Sequence, residues 1–277
     1  MTGITGSMTG RTVLVTGATG GIGLETARAL TKMGARVVIG ARDAGRGQAV
    51  VEEIARGGAS AELLEMDLAS FASVRRAAER FGGAHARLDV LVNNAGTAVR
   101  ERRLTEDGHE LTWQTNFLSH FLLTRLLMPV LKAAEKPRVV NVSSEGHRSG
   151  RLDWDDLELE RGFGTFRAYA NSKLAQILFT RELARREPMV AANAVHPGAI
   201  ATGIWRAAPA PARWLLALLL PSPEKGARPV VRLAAAPGLD GVTGRYFNKM
   251  REGQPSATAA SDSDAARLWK IAEEATA

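Results

Sequence analysis

The 277-residue sequence contains no cysteine. That excludes a disulfide scaffold, thiolate-ligated zinc or iron–sulfur centres, and a thiol nucleophile. Histidine is scarce as well: His85, His109, His120, His147 and His196 show no metal-ligand spacing and no HExxH pairing, so no metal site is expected. The longest apolar run, 214–220, is far shorter than the roughly 20 residues of a membrane span. The amino terminus, MTGITGSMTG, has no signal-like apolar core, so a cytoplasmic protein with no stable membrane insertion is expected. Aromatics make up only 5% of the chain. Its net charge of +7 is spread along the sequence instead of being concentrated on one aromatic-interleaved element, so nucleic acid is not an expected partner.

Short apolar runs bounded by glycine alternate with stretches of helical spacing. Strands are expected at 12–16, 36–40, 62–66, 88–93, 138–143, 190–195 and 244–247. Helices are expected at 21–33, 44–56, 70–81, 107–132, 166–186, 224–235 and 262–274, with Asp43 capping the second. Residues 1–10 read as a flexible tail, and Met8 could be a natural start. Residues 11–277 then form one α/β domain, a doubly wound parallel sheet of about seven strands with helices on both faces.

The first strand runs into Thr16-Gly-Ala-Thr-Gly-Gly-Ile-Gly23. Gly17, Gly21 and Gly23 at a strand–helix junction allow a tight turn and close backbone approach to phosphate, with the helix N-terminus supplying N–H donors. Thr19 and Ile22 lie in the same turn. At the end of the second strand, Ala41 stands where an acidic residue would accept the adenosine ribose hydroxyls, and Arg42 beside it suits a 2′-phosphate. This favours NADP(H) over NAD(H). If Asp43 pointed into the pocket, instead of capping the following helix, the preference would reverse. Asp67 and Leu68, after the third strand, are placed to meet the adenine.

Tyr169 is one of only two tyrosines, and Lys173 follows it at i+4 on one helix face. Ser143 and Ser144 end a strand, so alternation lets only one face the pocket. Asn116 lies inside a long helix, an intrinsically poor position for asparagine.

Together the turn 17–23, Asp67, Asn93-Asn-Ala-Gly96, Asn116, Ser144, Tyr169 with Lys173, and Pro197-Gly198 resemble the short-chain dehydrogenase/reductase family over nearly the whole chain from Arg11. Ala41-Arg42-Asp43, Asn116-Phe-Leu-Ser-His-Phe121, Asn141-Val-Ser-Ser144, Trp154-Asp-Asp-Leu157, Ser172-Lys-Leu-Ala175 and His196-Pro-Gly198 are similar to its retinol-dehydrogenase-like branch. The resemblance implies a Rossmann-type fold and hydride transfer between nicotinamide and a carbonyl or alcohol of a hydrophobic substrate. It makes Tyr169 the general acid/base and Ser144 the carbonyl-polarising hydroxyl, with Ser143 structural. It gives Lys173 the nicotinamide ribose and Asn116 a relay water. Asn93 and Asn94 are expected to shape the loop near the ribose, Gly96 to permit close approach with Ala95 among the cofactor contacts, and Pro197, Gly198, Ile200 and Thr202 to contact the nicotinamide. His147 and His196 are expected to be structural or substrate-lining. The acidic insert 151–165 reads as a solvated loop, and 199–223 as a substrate lid. Helices 107–132 and 166–186 resemble those that pair subunits in this family, implying a homodimer or homotetramer. Two other readings are a non-catalytic, redox-responsive dinucleotide-binding regulator and an epimerase or dehydratase on the same fold.

Overall fold

In the computed structural model, residues 6–199 and 221–277 are described. The lid segment from 200 to 220, with Ile200 and Thr202, lies outside them.

Eight strands form one sheet in the order β3-β2-β1-β4-β5-β6-β7-β8. They are β1 (Thr12–Thr16), β2 (Arg36–Ala41), β3 (Ala61–Glu65), β4 (Val90–Asn93), β5 (Arg138–Val142), β6 (Ala191–His196), β7 (Tyr246–Asn248) and β8 (Arg251–Gly253). All neighbours pair parallel up to β7, and β8 returns antiparallel. Against the expectation of about seven strands, the described residues hold eight. The added one is a three-residue hairpin partner whose Arg-Glu-Gly sequence shows no apolar alternation. The order reverses between β1 and β4, and the crevice at their carboxyl ends is where such sheets bind ligands.

Buried on both faces, the central strands read as continuous apolar runs. Val13, Val15, Val37 and Ile39 pack with α1 (Gly21–Lys32), α2 (Ala44–Arg56) and α7 (Pro223–Ala235) on one side. Leu14, Val38, Leu91 and Val139 pack on the other side. They meet α3 (Phe71–Ala84), α4 (residues 111–126), α6 (Thr165–Arg186) and α8 (Asp262–Ala275). A short α5 (Met128–Lys132) follows α4. Side-chain oxygens of Asp43, Ser70 and Ser261 accept N–H bonds in the first turns of α2, α3 and α8, fixing where those helices begin.

The helix expected over 107–132 starts at Leu111 and contains a π-helical turn, Gln114–Leu118. It breaks before Met128, where Pro129 lacks the N–H an uninterrupted helix needs. The expected tail is shorter than 1–10: Met8 is 1% exposed and its N–H donates to the Met33 carbonyl at 2.8 Å.

The insert 151–165 keeps Asp153, Asp155 and Glu160 exposed, as expected of a solvated loop, but is pinned at Asp156 and Glu158. Glu158 accepts a 2.6 Å bond from His109 and a 2.7 Å bond from the Glu110 N–H. Asp156 caps the N–H groups of Glu160 and Arg161, and Leu159 is buried. Trp154 lies under the Arg267 guanidinium of α8, 4.5 Å away.

α8 lies across α4 and α6. The Trp269 ring meets Phe121 edge-on at 4.9 Å, sits 6.0 Å from Phe179, and is covered by Arg186 at 4.7 Å. Arg125 pairs with Glu273, and Arg181 with Asp262. Subunit pairing through both helices on this side would have to displace α8. Because Trp269 is 6% exposed and sits at the centre of this cluster, Trp269→Ala should cost about 3–5 kcal/mol. The check is the urea midpoint at unchanged slope, and an unshifted midpoint would show that α8 is not part of the cooperative core.

Candidate active site

The turn after β1 is built by close approach. Gly17 has φ +67°, and a β-carbon there would lie 2.9 Å from Ala95. One on Gly23 would lie 2.4 Å from the Gly17 carbonyl and 2.5 Å from the Asn94 amide. The Asn94 Nδ2 donates to the Thr16 carbonyl at 2.8 Å and to that of Gly17 at 3.4 Å. The Thr16 hydroxyl accepts from the Asn94 and Ala95 N–H groups at 2.9 and 3.0 Å. Asn94 thus clamps the glycine turn, whereas Asn93, expected to shape the same loop, is turned into the core, where its amide donates to Thr124 and Asn141. No side chain caps α1, so its first N–H groups face the cradle left by the glycines. A pyrophosphate fits this arrangement on backbone approach and dipole alike.

At the end of β2, Ala41 is buried against α2 while Arg42 is exposed. The Asp43 carboxylate accepts the Arg46 N–H at 2.9 Å, so it serves as the helix cap. The sequence reading missed Arg46. Its guanidinium reaches back to the Thr19 carbonyl at 3.4 Å, bringing a second cation to the rim of the glycine turn. The cap three residues before it was the available signal. After β3, Asp67 accepts the Ala69 N–H at 2.9 Å. Leu68 is buried, and its carbonyl is held by the Ser119 hydroxyl at 2.6 Å.

The catalytic candidates come from three elements. Ser143 and Ser144 follow β5 and separate as alternation requires: Ser143 Oγ donates to the Lys173 carbonyl at 2.7 Å, whereas Ser144 faces Tyr169. Tyr169 and Lys173 share one face of α6, with Nζ 5.6 Å from the ring centre and donating to the Val142 carbonyl at 2.8 Å. Asn116 lies in the π-turn. Its Nδ2 donates to the Thr97 carbonyl at 2.9 Å and to Ser172 Oγ at 3.0 Å, and its Oδ1 accepts the Thr97 N–H at 2.7 Å. The position a β-carbon would take on Gly96 lies 3.5 Å from both Asn116 Oδ1 and Lys173 Nζ, which places this loop against the two side chains. Gly198, at φ +105°, turns the chain after Pro197 at the end of β6.

Burial sets the charges. It raises the Tyr169 phenol above its ordinary pKa, against a smaller opposing effect of the Ser144 hydroxyl. It lowers the Lys173 ammonium to about 8. His147, lowered by burial, bonds the Ser144 carbonyl through Nδ1 at 2.7 Å and accepts the Ser256 N–H at Nε2. Glu145, next to Ser144, accepts from the Tyr246 hydroxyl at 2.6 Å and from Asn248 at 3.1 Å, tying the serine loop to β7. His196 is lowered by burial to about 4 and lies beside this cluster, with Nδ1 buried and unpartnered.

A family model described as short chain dehydrogenase matches residues 11–212. Retinol dehydrogenase 14 of Mus musculus is 41% identical over 97% of this chain and 86% of its own length. Polyprenol dehydrogenase of Mus musculus is 43% identical over 94% and 82%. Among solved structures, an uncharacterized protein from Mycobacterium paratuberculosis superposes with TM-score 0.82 at 35% identity, covering 98% of this chain and 95% of that one. A Pseudomonas aeruginosa RhlG/NADP active-site complex gives 0.72 at 31%, covering 87% and 95%.

Because Lys173 loses its proton near pH 8, dinucleotide affinity should weaken as pH rises through that value in the wild type. In Lys173→Met the affinity should be flat from pH 7 to 9. Nicotinamide fluorescence titration measures both, and parallel profiles would remove the Lys173 charge from cofactor binding.

Proposed function

The chain belongs to the short-chain dehydrogenase/reductase family, and from that premise we propose that it is an NADP(H)-dependent oxidoreductase acting on long, apolar isoprenoid alcohols or aldehydes. The observation supporting it best is the convergence of the Tyr169 phenol, Ser144 hydroxyl and Lys173 ammonium at the carboxyl ends of the strands, beside a glycine turn shaped for pyrophosphate. Two named relatives act on retinol and polyprenol, which share an allylic or isoprenoid alcohol on an apolar chain.

Bound nicotinamide supplies or accepts the hydride. The chain itself manages the oxygen and its proton. Ser144 donates a hydrogen bond to the substrate oxygen, where charge develops during reduction. Tyr169 delivers the proton to that oxygen, or removes it in oxidation. A phenol made to work near neutrality must come down roughly 3 pKa units, about 4 kcal/mol. A positive charge about 6 Å away contributes roughly 3 kcal/mol at an effective dielectric near 20. Lys173 and the positive ring of the oxidised cofactor together would supply that shift, and must also offset the burial that holds the phenol above its ordinary value. Asn116 holds the loop that carries Thr97 beside Lys173, where the relay water would sit.

The preference for NADP(H) is supported by three features of the β2 end. The Arg42 guanidinium is exposed toward a 2′-phosphate, Arg46 adds a second cation, and the Asp43 carboxylate is occupied by its helix.

Screening retinol, farnesol, geranylgeraniol and their aldehydes with NADP(H) and NAD(H) in parallel, followed at the nicotinamide absorbance, tests the substrate class. Turnover only of small hydrophilic carbonyls would reject it. Tyr169→Phe should lower turnover by about 10³-fold while leaving NADPH affinity intact. Arg42→Ala and Arg46→Ala should each raise the KM for NADPH about 10-fold, with little change for NADH. Equal changes for both cofactors would assign the arginines to something other than the 2′-phosphate.

A further inference from the structure

His120 lies at the junction of the dinucleotide turn and the catalytic helix, and none of the steps above uses it. It is fully buried on α4, one turn after Asn116. Its Nε2 is 3.0 Å from the Thr16 hydroxyl, and its Nδ1 is 3.1 Å from the Asn116 carbonyl.

The partners determine where its proton sits. The Thr16 hydroxyl has two lone pairs and one hydrogen. Both lone pairs are taken by the N–H groups of Asn94 and Ala95. Toward His120 the hydroxyl can only donate, and the alternative acceptor, the Val92 carbonyl, is more distant at 3.4 Å. His120 Nε2 is therefore the acceptor. The Asn116 carbonyl can only accept, so Nδ1 bears the hydrogen. Gln176 Nε2 of α6 donates to the same carbonyl and lies 3.1 Å from His120 Nδ1, so with Nε2 of His120 already the acceptor toward Thr16 the two nitrogens are donors converging on one oxygen. Burial, with the nearby Lys173 charge adding to it, lowers His120 to about 3 despite the opposing Asn116 carbonyl, so this single-proton form persists throughout the working range.

One imidazole thus spans two groups. On one side its acceptor orients the hydroxyl that locks Asn94 and Ala95 against the glycine turn. On the other, its donor and the Gln176 amide hold the main-chain carbonyl of the π-turn, from which the Asn116 side chain reaches Thr97 and Ser172. Fully buried, the residue acts through these neighbours.

We propose that His120 is a positioning residue that fixes the dinucleotide turn and the Asn116 π-turn in one register, its two nitrogens serving two separable tasks. The turnover arm of this inference rests on the oxidoreductase reading above; the binding arm does not.

Three substitutions separate the tasks. His120→Leu removes both hydrogen bonds. His120→Asn keeps a donor near Nδ1, and His120→Gln keeps an acceptor near Nε2. With folding checked by circular dichroism and thermal melting, the leucine variant should weaken NADPH binding about 10-fold and lower kcat about 10-fold. The asparagine variant should retain kcat within about 3-fold yet bind NADPH as weakly as leucine does, and the glutamine variant should show the reverse split. If leucine fails to fold, the opposite splits of asparagine and glutamine decide alone. Equal losses in all folded variants, or wild-type values in the leucine variant, would overturn the proposal by reducing His120 to packing. If the wild type turns over no substrate in the panel, the oxidoreductase reading fails. The NADPH dissociation constants then decide here: glutamine near wild type with asparagine weak supports the inference, and any other order rejects it.

Discussion

The structure depends on one close approach, the backbone of the Gly17–Gly23 turn against the Asn94–Ala95 loop. A β-carbon at Gly17 or Gly23 would fall inside contact distance of backbone or amide atoms, so only glycine permits it. Through this contact the end of β1 is joined to the end of β4, the two strands between which the sheet reverses direction. The cradle for an anionic ligand and the loop that lies against the catalytic helix are thereby made from the same few residues. Hydrogen bonds from Asn94 to two carbonyls, and to Thr16 from two N–H groups, close it without a charge.

Behind that contact a ladder of amide and hydroxyl side chains crosses the sheet core, paired except at Asn93 Oδ1. Asn93 donates to Asn141 across the sheet, directly in register, and Asn141 donates to Thr180 on α6. Buried polar networks of this kind are costly when half satisfied and specific when complete. This one fixes β4, β5 and α6 relative to one another, and those three elements, with the loops that follow the strands, present Ser144, Tyr169 and Lys173. The apolar layers on either side supply stability. The polar ladder supplies the registration that catalytic geometry needs.

Much of this was legible in the sequence because the signals are local. Glycine spacing, apolar runs and Asp43 before a helix depend on nearest neighbours, and the division of labour between Ser143 and Ser144 follows from strand alternation. Features missed or misread depend on contacts distant in sequence. Glu158 looks like a loop carboxylate until His109 is brought to it. Trp269 shows only helical spacing until Phe121, Phe179 and Arg186 surround it. β8 is too short and polar to announce itself. The π-turn at Asn116 is invisible to periodicity, since a one-residue slip in the helical ladder leaves the apolar pattern almost unchanged.

Burial acts on the two ionisable candidates for catalysis in opposite numerical directions but to the same chemical end. It raises Tyr169 and lowers Lys173, so each is drawn toward its uncharged form. A site built of neutral groups is inexpensive to fold, because no isolated charge is left in a low-dielectric interior. It is also poorly poised for proton transfer, which needs a phenol ready to share its proton and an ammonium that favours that sharing. The two requirements are reconciled if the charged arrangement is stable only when opposite charges are present together. A phenolate beside Lys173 is favoured where either ion alone is not, by the same Coulomb attraction that burial strengthens. Acid–base competence is therefore a property of the assembled site, and the histidines around it, all lowered by burial, stay neutral and leave that coupling undisturbed.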